Sequence, residues 1–205
     1  MTDDTESVVG YLHEVGHLKR TKRAGWWIAG VRDPESVAEH SFRAGVIAYV
    51  LALMEGADPD RAATLALFHD VLETRIGDIP SPGRAHLAVA DPVEIARTQT
   101  DALPSPVAEN ILGLVSEYEA KESPESQCAK DADKLECLLQ AREYATQGYA
   151  LVQPWVDTMV AAVKTPSGKE LARGALSTPV DSWWRDIVSS YGSAPQAPRA
   201  EAAGA

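Results

Sequence analysis

The sequence predicts an all-α, single-domain helical bundle. Three observations lead there. Asp-Pro or Ser-Pro pairs recur at Asp33-Pro34, Asp58-Pro59, Asp91-Pro92, Ser105-Pro106 and Ser123-Pro124. Asp and Ser are good N-caps, because their side chains accept from the free amides of a first helical turn, and proline fits the first helical position. Helical periodicity follows most of these pairs, and no convincing run of alternating strand residues occurs.

The expected helices are 5–19, 34–54, 59–73, 92–100, 106–121, 124–147, 152–164 and 167–190. The first is amphipathic, and the basic residues Lys19, Arg20, Lys22 and Arg23 at its end suit a helix C-terminus. The next two follow Asp33-Pro34 and Asp58-Pro59 and are apolar on nearly all sides, which predicts a central position. The next three follow Asp91-Pro92, Ser105-Pro106 and Ser123-Pro124. Helix 124–147 carries Cys128 and Cys137. Nine residues apart on one helix, these lie on opposite faces about 13 Å apart along the axis and cannot bridge each other. The domain is expected to span 1–191. The segment 192–205, GSAPQAPRAEAAGA, is small, Pro-rich and without large apolar residues, as in a disordered tail.

Composition narrows the function. Among 205 residues, 45% are apolar and 24% charged, and the formal charge is −11. Such an acidic surface repels nucleic-acid polymers and anionic membranes, but a small anionic substrate can still bind at a local basic cluster. The apolar run Ala44–Met54 is shorter than the roughly 20 residues that span a bilayer, and MTDDTESVVG lacks the positive region of a signal peptide. Two free thiols suit a reducing compartment, so the expected location is the cytoplasm.

The chemistry concentrates in three apolar helices. His40 stands in PESVAEHS, His69 and Asp70 in FHDVLET, and Asp133 in KDADKLE. A lone histidine at position 40 is more often a hydrogen-bonded core residue, and an isolated His-Asp pair is usually a helix-end detail. A bundle, however, brings inward faces together and builds metal sites from them. Two imidazoles and two carboxylates suit Co, Mn, Mg, Zn or Fe. Of the two aspartates in KDADKLE, Asp133 has Ala129, Cys137 and Ala141 as helical neighbours, where an unpartnered carboxylate would be costly. Asp131 sits beside Gln127 and Lys134 and is expected to be more exposed.

The order His40, His69-Asp70, Asp133 resembles the H…HD…D signature of HD-domain metal-dependent phosphohydrolases. The likeness extends through LKRTKRAGW (18–26), RDPESVAEHS (32–41), LFHDVLETRIGDIP (67–80) and KDADKLECLLQA (130–141). It covers roughly residues 12–145 and is strongest toward bacterial 5′-deoxynucleotidases and their eukaryotic HD-domain-containing relatives.

This resemblance implies that His40, His69, Asp70 and Asp133 bind one divalent ion, and that Glu73 and Asp78 are the two further acidic site residues. It implies that Arg23 contacts phosphate and that Trp26 shapes the sugar pocket. Arg23 matches the eukaryotic-type pattern; the bacterial type carries arginine immediately before the tryptophan, where this chain has Gly25. The implied reaction is hydrolysis of (2′-deoxy)ribonucleoside 5′-monophosphates to nucleoside and phosphate, by a homodimer. The alternative is an HD-type phosphohydrolase acting on another nucleotide or on a phosphorylated metabolite of a specialised pathway. A di-iron oxygenase needs further histidines between Asp70 and Asp133, and only His86 lies there. A non-catalytic sensor would have lost a ligand or an acid, and none is missing.

Overall fold

Side-chain caps set five of the helix starts among the described residues. The structure, a computed structural model, describes residues 2–191; the expected tail 192–205 lies outside the described residues. The helices are α1 (Thr2–Val15, followed by a 3₁₀ turn at Gly16–Lys19), α2 (Gly25–Ile28), α3 (Val37–Glu55), α4 (Pro59–Phe68), α5 (Glu73–Ile76), α6 (Ser81–Arg84), α7 (Pro92–Thr100), α8 (Ser105–Ala120), α9 (Pro124–Thr146), α10 (Gln153–Ala162), α11 (Pro166–Ser177) and α12 (Ser182–Tyr191). Among the described residues there is no strand, only an isolated bridge between Lys22 and Ser36.

Asp58, Asp91 and Ser123 each cap the helix that follows, accepting from amides of its first turn. Asp33-Pro34 does not start α3, which begins three residues later at Val37. Ser36 accepts from the Glu39 amide, and Glu39 accepts back from the Ser36 amide, forming a capping box. Ser105 is a first helical residue rather than a cap. Ser81 and Thr165-Pro166 also mark helix starts that the sequence reading passed over.

Two expected helices are broken. The segment 59–73 ends as a helix at Phe68, and the chain then tightens into i→i−3 turns, such as the Glu73 amide to the Asp70 carbonyl at 3.0 Å. The segment 167–190 divides at Thr178-Pro179, where proline stops α11 before α12 begins.

The core is built on α3, α4 and α9. Ala44, Ala48, Leu51 and Ala52 of α3 pack with Ala62, Leu65 and Ala66 of α4 and with Ala129, Ala132, Leu135 and Leu138 of α9. These largely small residues let the helices approach closely; a Cβ at Gly45 would lie 3.6 Å from the Ala63 carbonyl oxygen. By length and composition α3 could cross a membrane, and in this bundle its inner face is the centre of the core. The helix takes the central position expected of it, but not every apolar residue on it is buried. Phe42 is 69% and Leu53 59% exposed, and with Val46, Tyr49 and Val50 they form an apolar stripe along the outer face.

Candidate active site

The three central helices converge on one cluster. His40 lies one turn into α3, His69 is the C-cap of α4, Asp70 begins the turn after it, and Asp133 is midway along α9. His40 Nε2 lies 3.3 Å from Asp133 Oδ1 and 3.8 Å from Asp70 Oδ2. His69 Nε2 lies 3.1 Å from Asp70 Oδ2 and 3.9 Å from Asp133 Oδ1. Ligand atoms of His40, His69 and Asp133 all fall within 4.8 Å of one another.

Both imidazoles are oriented from behind. His69 Nδ1 is 2.5 Å from the Ala66 carbonyl oxygen, so that nitrogen carries the proton it donates. His40 Nδ1 is bonded to the Glu136 carboxylate. The two inward nitrogens, His40 Nε2 and His69 Nε2, are buried and make no hydrogen bond. Buried nitrogens facing two carboxylates without a donor between them are the arrangement a cation would satisfy. The donor set of two imidazoles and two carboxylates therefore fits a divalent ion.

Charge in the cluster is finely opposed. Burial and Arg23 disfavour the His40 cation, but Glu136 and Asp133 overcome them and hold its pKa at about 10, so that without a metal ion a proton on Nε2 takes the place the ion would fill. Burial alone would raise the Asp70 carboxyl; His69, Arg23 and His40 bring it far below the usual range. Asp133 is likewise held well down against burial, by Lys134 and both histidines. Glu73, the first residue of α5, behaves oppositely. Burial, then repulsion from Asp70 and Asp78, lifts it to about 9.

The cluster opens into a cavity of ≈ 880 Å³. Glu73 lines it, with its Oε2 buried and without a hydrogen-bond partner. Asp78 lies on the loop between α5 and α6, where its Oδ2 accepts from the Ala24 amide at 2.5 Å. Arg23 Nη1 is 3.3 Å from Asp70 Oδ2 and 3.7 Å from Asp78 Oδ1. One guanidinium therefore ties the cluster to the loop acid.

Of the basic cluster 19–23, only Arg23 reaches this cavity. Lys22 turns away to the Pro34 carbonyl at 2.7 Å and to Asp33, and Lys19 and Arg20 are exposed. Further cations come instead from α9. Lys134 pairs with Asp133, and Lys130 lies 3.6 Å over the Tyr118 ring.

Trp26 lines the cavity but is 2% exposed. Its Nε1 donates to Glu35 Oε1 at 2.9 Å, and its ring packs between Tyr144 and Trp155. Trp155, which the sequence reading did not single out, takes the space beside Gly25; a Cβ there would lie 3.6 Å from its Nε1. A side chain at that position would start in contact with the indole. Trp27 is more than half exposed.

The expectation that Asp131 is exposed is overturned. Asp131 is buried, and its carboxylate accepts from the Lys164 and Thr165 amides and the Thr165 hydroxyl. It anchors the start of α11, away from the cluster. Glu136 was also missed, although it stands one helical turn beyond Asp133 in KDADKLE. That spacing was the available signal.

The HD-domain family profile matches residues 15–173. The chain belongs to the HD-domain family. It is 35% identical over 148 residues to the human protein named 5′-deoxynucleotidase HDDC2, covering 67% of this chain and 68% of the relative. It is 33% identical over 144 residues to the fission yeast (Schizosaccharomyces pombe) 5′-deoxynucleotidase hdd1, covering 67% and 72%. Among solved structures, a conserved hypothetical protein from Pyrococcus furiosus superposes with a TM-score of 0.66 at 28% identity, covering 83% of this chain and 99% of that one.

Proposed function

We propose that this HD-domain chain is a metal-dependent 5′-deoxynucleotidase. It cleaves 2′-deoxyribonucleoside 5′-monophosphates to nucleoside and phosphate. The observation that carries the reading is the pair of buried, unbonded nitrogens, His40 Nε2 and His69 Nε2, facing Asp70 and Asp133 at the floor of a cavity that also holds Arg23, Glu73 and Asp78. The names of the human and fission yeast relatives supply the substrate class.

His40, His69, Asp70 and Asp133 would hold one divalent ion; Co, Mn, Mg, Zn and Fe all suit the set. When bound, that ion polarises a phosphoryl oxygen and lowers the pKa of water. The remaining work belongs to the chain. Arg23 presents Nη1 to a phosphoryl oxygen as a charge-assisted donor. Glu73 faces the cavity and takes the proton of the attacking water. A divalent ion held by His40, His69, Asp70 and Asp133 would offset the charge of Asp70 and so reduce the repulsion that, after burial, lifts Glu73. Water oxygen bonds to phosphorus as the P–O5′ bond breaks; the water's proton goes to Glu73, and the 5′-oxygen takes up a proton from solvent and leaves as the nucleoside hydroxyl. Asp78, fixed by the Ala24 amide, orients the sugar end. Lys134 and Arg23 offset the charge of the bound phosphate.

Phosphate release from deoxy- and ribonucleoside monophosphates, with each metal and with chelator, tests the reading. Turnover of dAMP, lost with chelator and restored by one metal equivalent, is the expected result. Turnover only on other phosphate esters would place the enzyme in a different pathway.

The apolar stripe of α3 supports assembly as a homodimer. Phe42, Val46, Tyr49, Val50 and Leu53 lie on one face of a 19-residue helix, and a two-fold pairing would cover the same stripe on both copies. Val46→Glu should convert the dimer to monomer in light scattering; a wild-type monomer refutes this part. Cytoplasmic placement, supported by the two free cysteines on α9, completes the proposal.

A further inference from the structure

We propose that Glu136 is a positioning residue that fixes His40 in its Nδ1–H tautomer, with Arg43 fixing Glu136 in turn, so that His40 Nε2 is held ready as a metal ligand. The inference rests on the reading of His40 as a ligand given above.

The geometry is a three-member chain running outward from the cluster. His40 and Glu136 are both 0% exposed and hydrogen-bonded through Nδ1 and Oε2. The other carboxylate oxygen, Oε1, is claimed by Arg43: Nε lies at 3.0 Å and Nη2 at 2.8 Å. Arg43 is itself tied down, with Nη1 2.6 Å from Glu143 Oε1 and Nη2 2.9 Å from Gln140 Oε1. Each link sits one helical turn from a cluster residue: Arg43 after His40 on α3, and Glu136 after Asp133 on α9. The same two helices therefore carry both the ligands and the device that orients one of them.

The two histidines differ in what stands behind them. His69 leans on a neutral carbonyl, and His40 on a carboxylate. A carboxylate accepting from Nδ1–H locks the ring rotation, excludes the Nε2–H tautomer and makes Nε2 a stronger donor to a cation. The far end of the chain opens to a second cavity of ≈ 430 Å³, lined by Glu35, Arg43, Glu136 and Gln140. A competing arrangement is visible there: Glu35, His40 and Glu136 also offer ligand atoms within 4.8 Å of one another. Arg43 argues against a cation on that side, because its guanidinium already places a positive charge against the Glu136 carboxylate.

Glu136→Gln makes a specific test. Arg43 requires an acceptor, so the glutamine oxygen turns toward it and the amide NH₂ faces His40. That forces the wrong tautomer and aims an Nε2–H at the metal position. Cobalt titration by calorimetry and by visible absorption should show affinity about 10- to 100-fold weaker than wild type. In Arg43→Met/Glu136→Gln the amide is free to turn its oxygen to His40, so affinity should partly recover above that of Glu136→Gln alone. A generic packing role predicts a double variant that binds cobalt no better than Glu136→Gln alone. Equal cobalt affinity in wild type and Glu136→Gln, or a double variant no tighter than Glu136→Gln, overturns the inference. A wild type that binds no cobalt would instead overturn the metal reading beneath it. Should Glu136→Gln fail to fold, nitrogen NMR of cobalt- or zinc-loaded wild type decides. A hydrogen-bonded proton on His40 Nδ1 is expected, and a metal on Nδ1 overturns the inference.

Discussion

His40 Nε2 and Asp133 Oδ1 stand 3.3 Å apart, each delivered by a different central helix. Asp131, two residues before Asp133, faces the opposite way and binds the start of α11 through the Lys164 and Thr165 amides. The two aspartates should therefore fail differently when removed. Asp133→Ala should lose the metal in elemental analysis of the purified protein while staying folded. Asp131→Ala should keep it, yet lower the melting temperature by an amount corresponding to about 1–3 kcal/mol, the usual cost of stranding buried donors. Wild type should carry about one divalent ion per chain; two would contradict the ligand set.

Glu73 differs from the four proposed ligands in being a cavity-lining acid with an unbonded, buried carboxylate oxygen. Glu73→Gln should bind metal as wild type does and lose about 100-fold or more in kcat, the effect of a positioned acid–base group. Near-normal turnover would reduce Glu73 to a buried spectator.

Trp26 is a core residue as well as a cavity wall. Truncating it to alanine should cost about 3–5 kcal/mol through the cavity left behind, enough to confuse any reading of selectivity. Trp26→Phe keeps most of the packing against Tyr144 and Trp155 while removing the bond to Glu35. Wild type should favour dAMP over AMP in kcat/KM by at least about tenfold, or roughly 1.4 kcal/mol, and Trp26→Phe should narrow the gap chiefly by admitting AMP. An unchanged ratio would assign selectivity to another wall residue, with Trp155 the next to test.

Glu14 gives a pH signature far from the metal cluster. It accepts from Arg75 at 2.7 Å, Gln99 at 2.9 Å and Thr74 at 3.0 Å. The bond from Arg75 is the largest influence, and burial opposes it; the net effect lowers the Glu14 pKa. A carboxylate with a lowered folded-state pKa adds stability above its unfolded value, near about 4.3, and that stability is lost as pH falls through the folded value. The melting temperature of Glu14→Gln should thus lie below wild type at pH 7, and the gap should close in acid. A gap independent of pH would mean that the charge of Glu14 contributes nothing.

Local chemistry along the chain was sufficient to indicate the all-α class and several helix starts. Asp58, Asp91 and Ser123 cap because an N-cap needs only its own side chain and the next three amides. The order of His40, His69-Asp70 and Asp133 was equally legible, since a motif is a matter of spacing. Tertiary structure decided what helical neighbours cannot report. Asp131 reads as exposed from Gln127 and Lys134, but α11 arrives from 34 residues away and buries it. Glu136 reads as one more surface acid until α3 brings His40 and Arg43 against it. The start of α3 moved to Ser36 because a reciprocal box with Glu39 satisfies two backbone donors, which Asp33-Pro34 leaves to other partners. In each case the deciding partner lay on another element or in a competing cap. Burial of a charge is a property of the contact between elements, and sequence periodicity describes one element at a time.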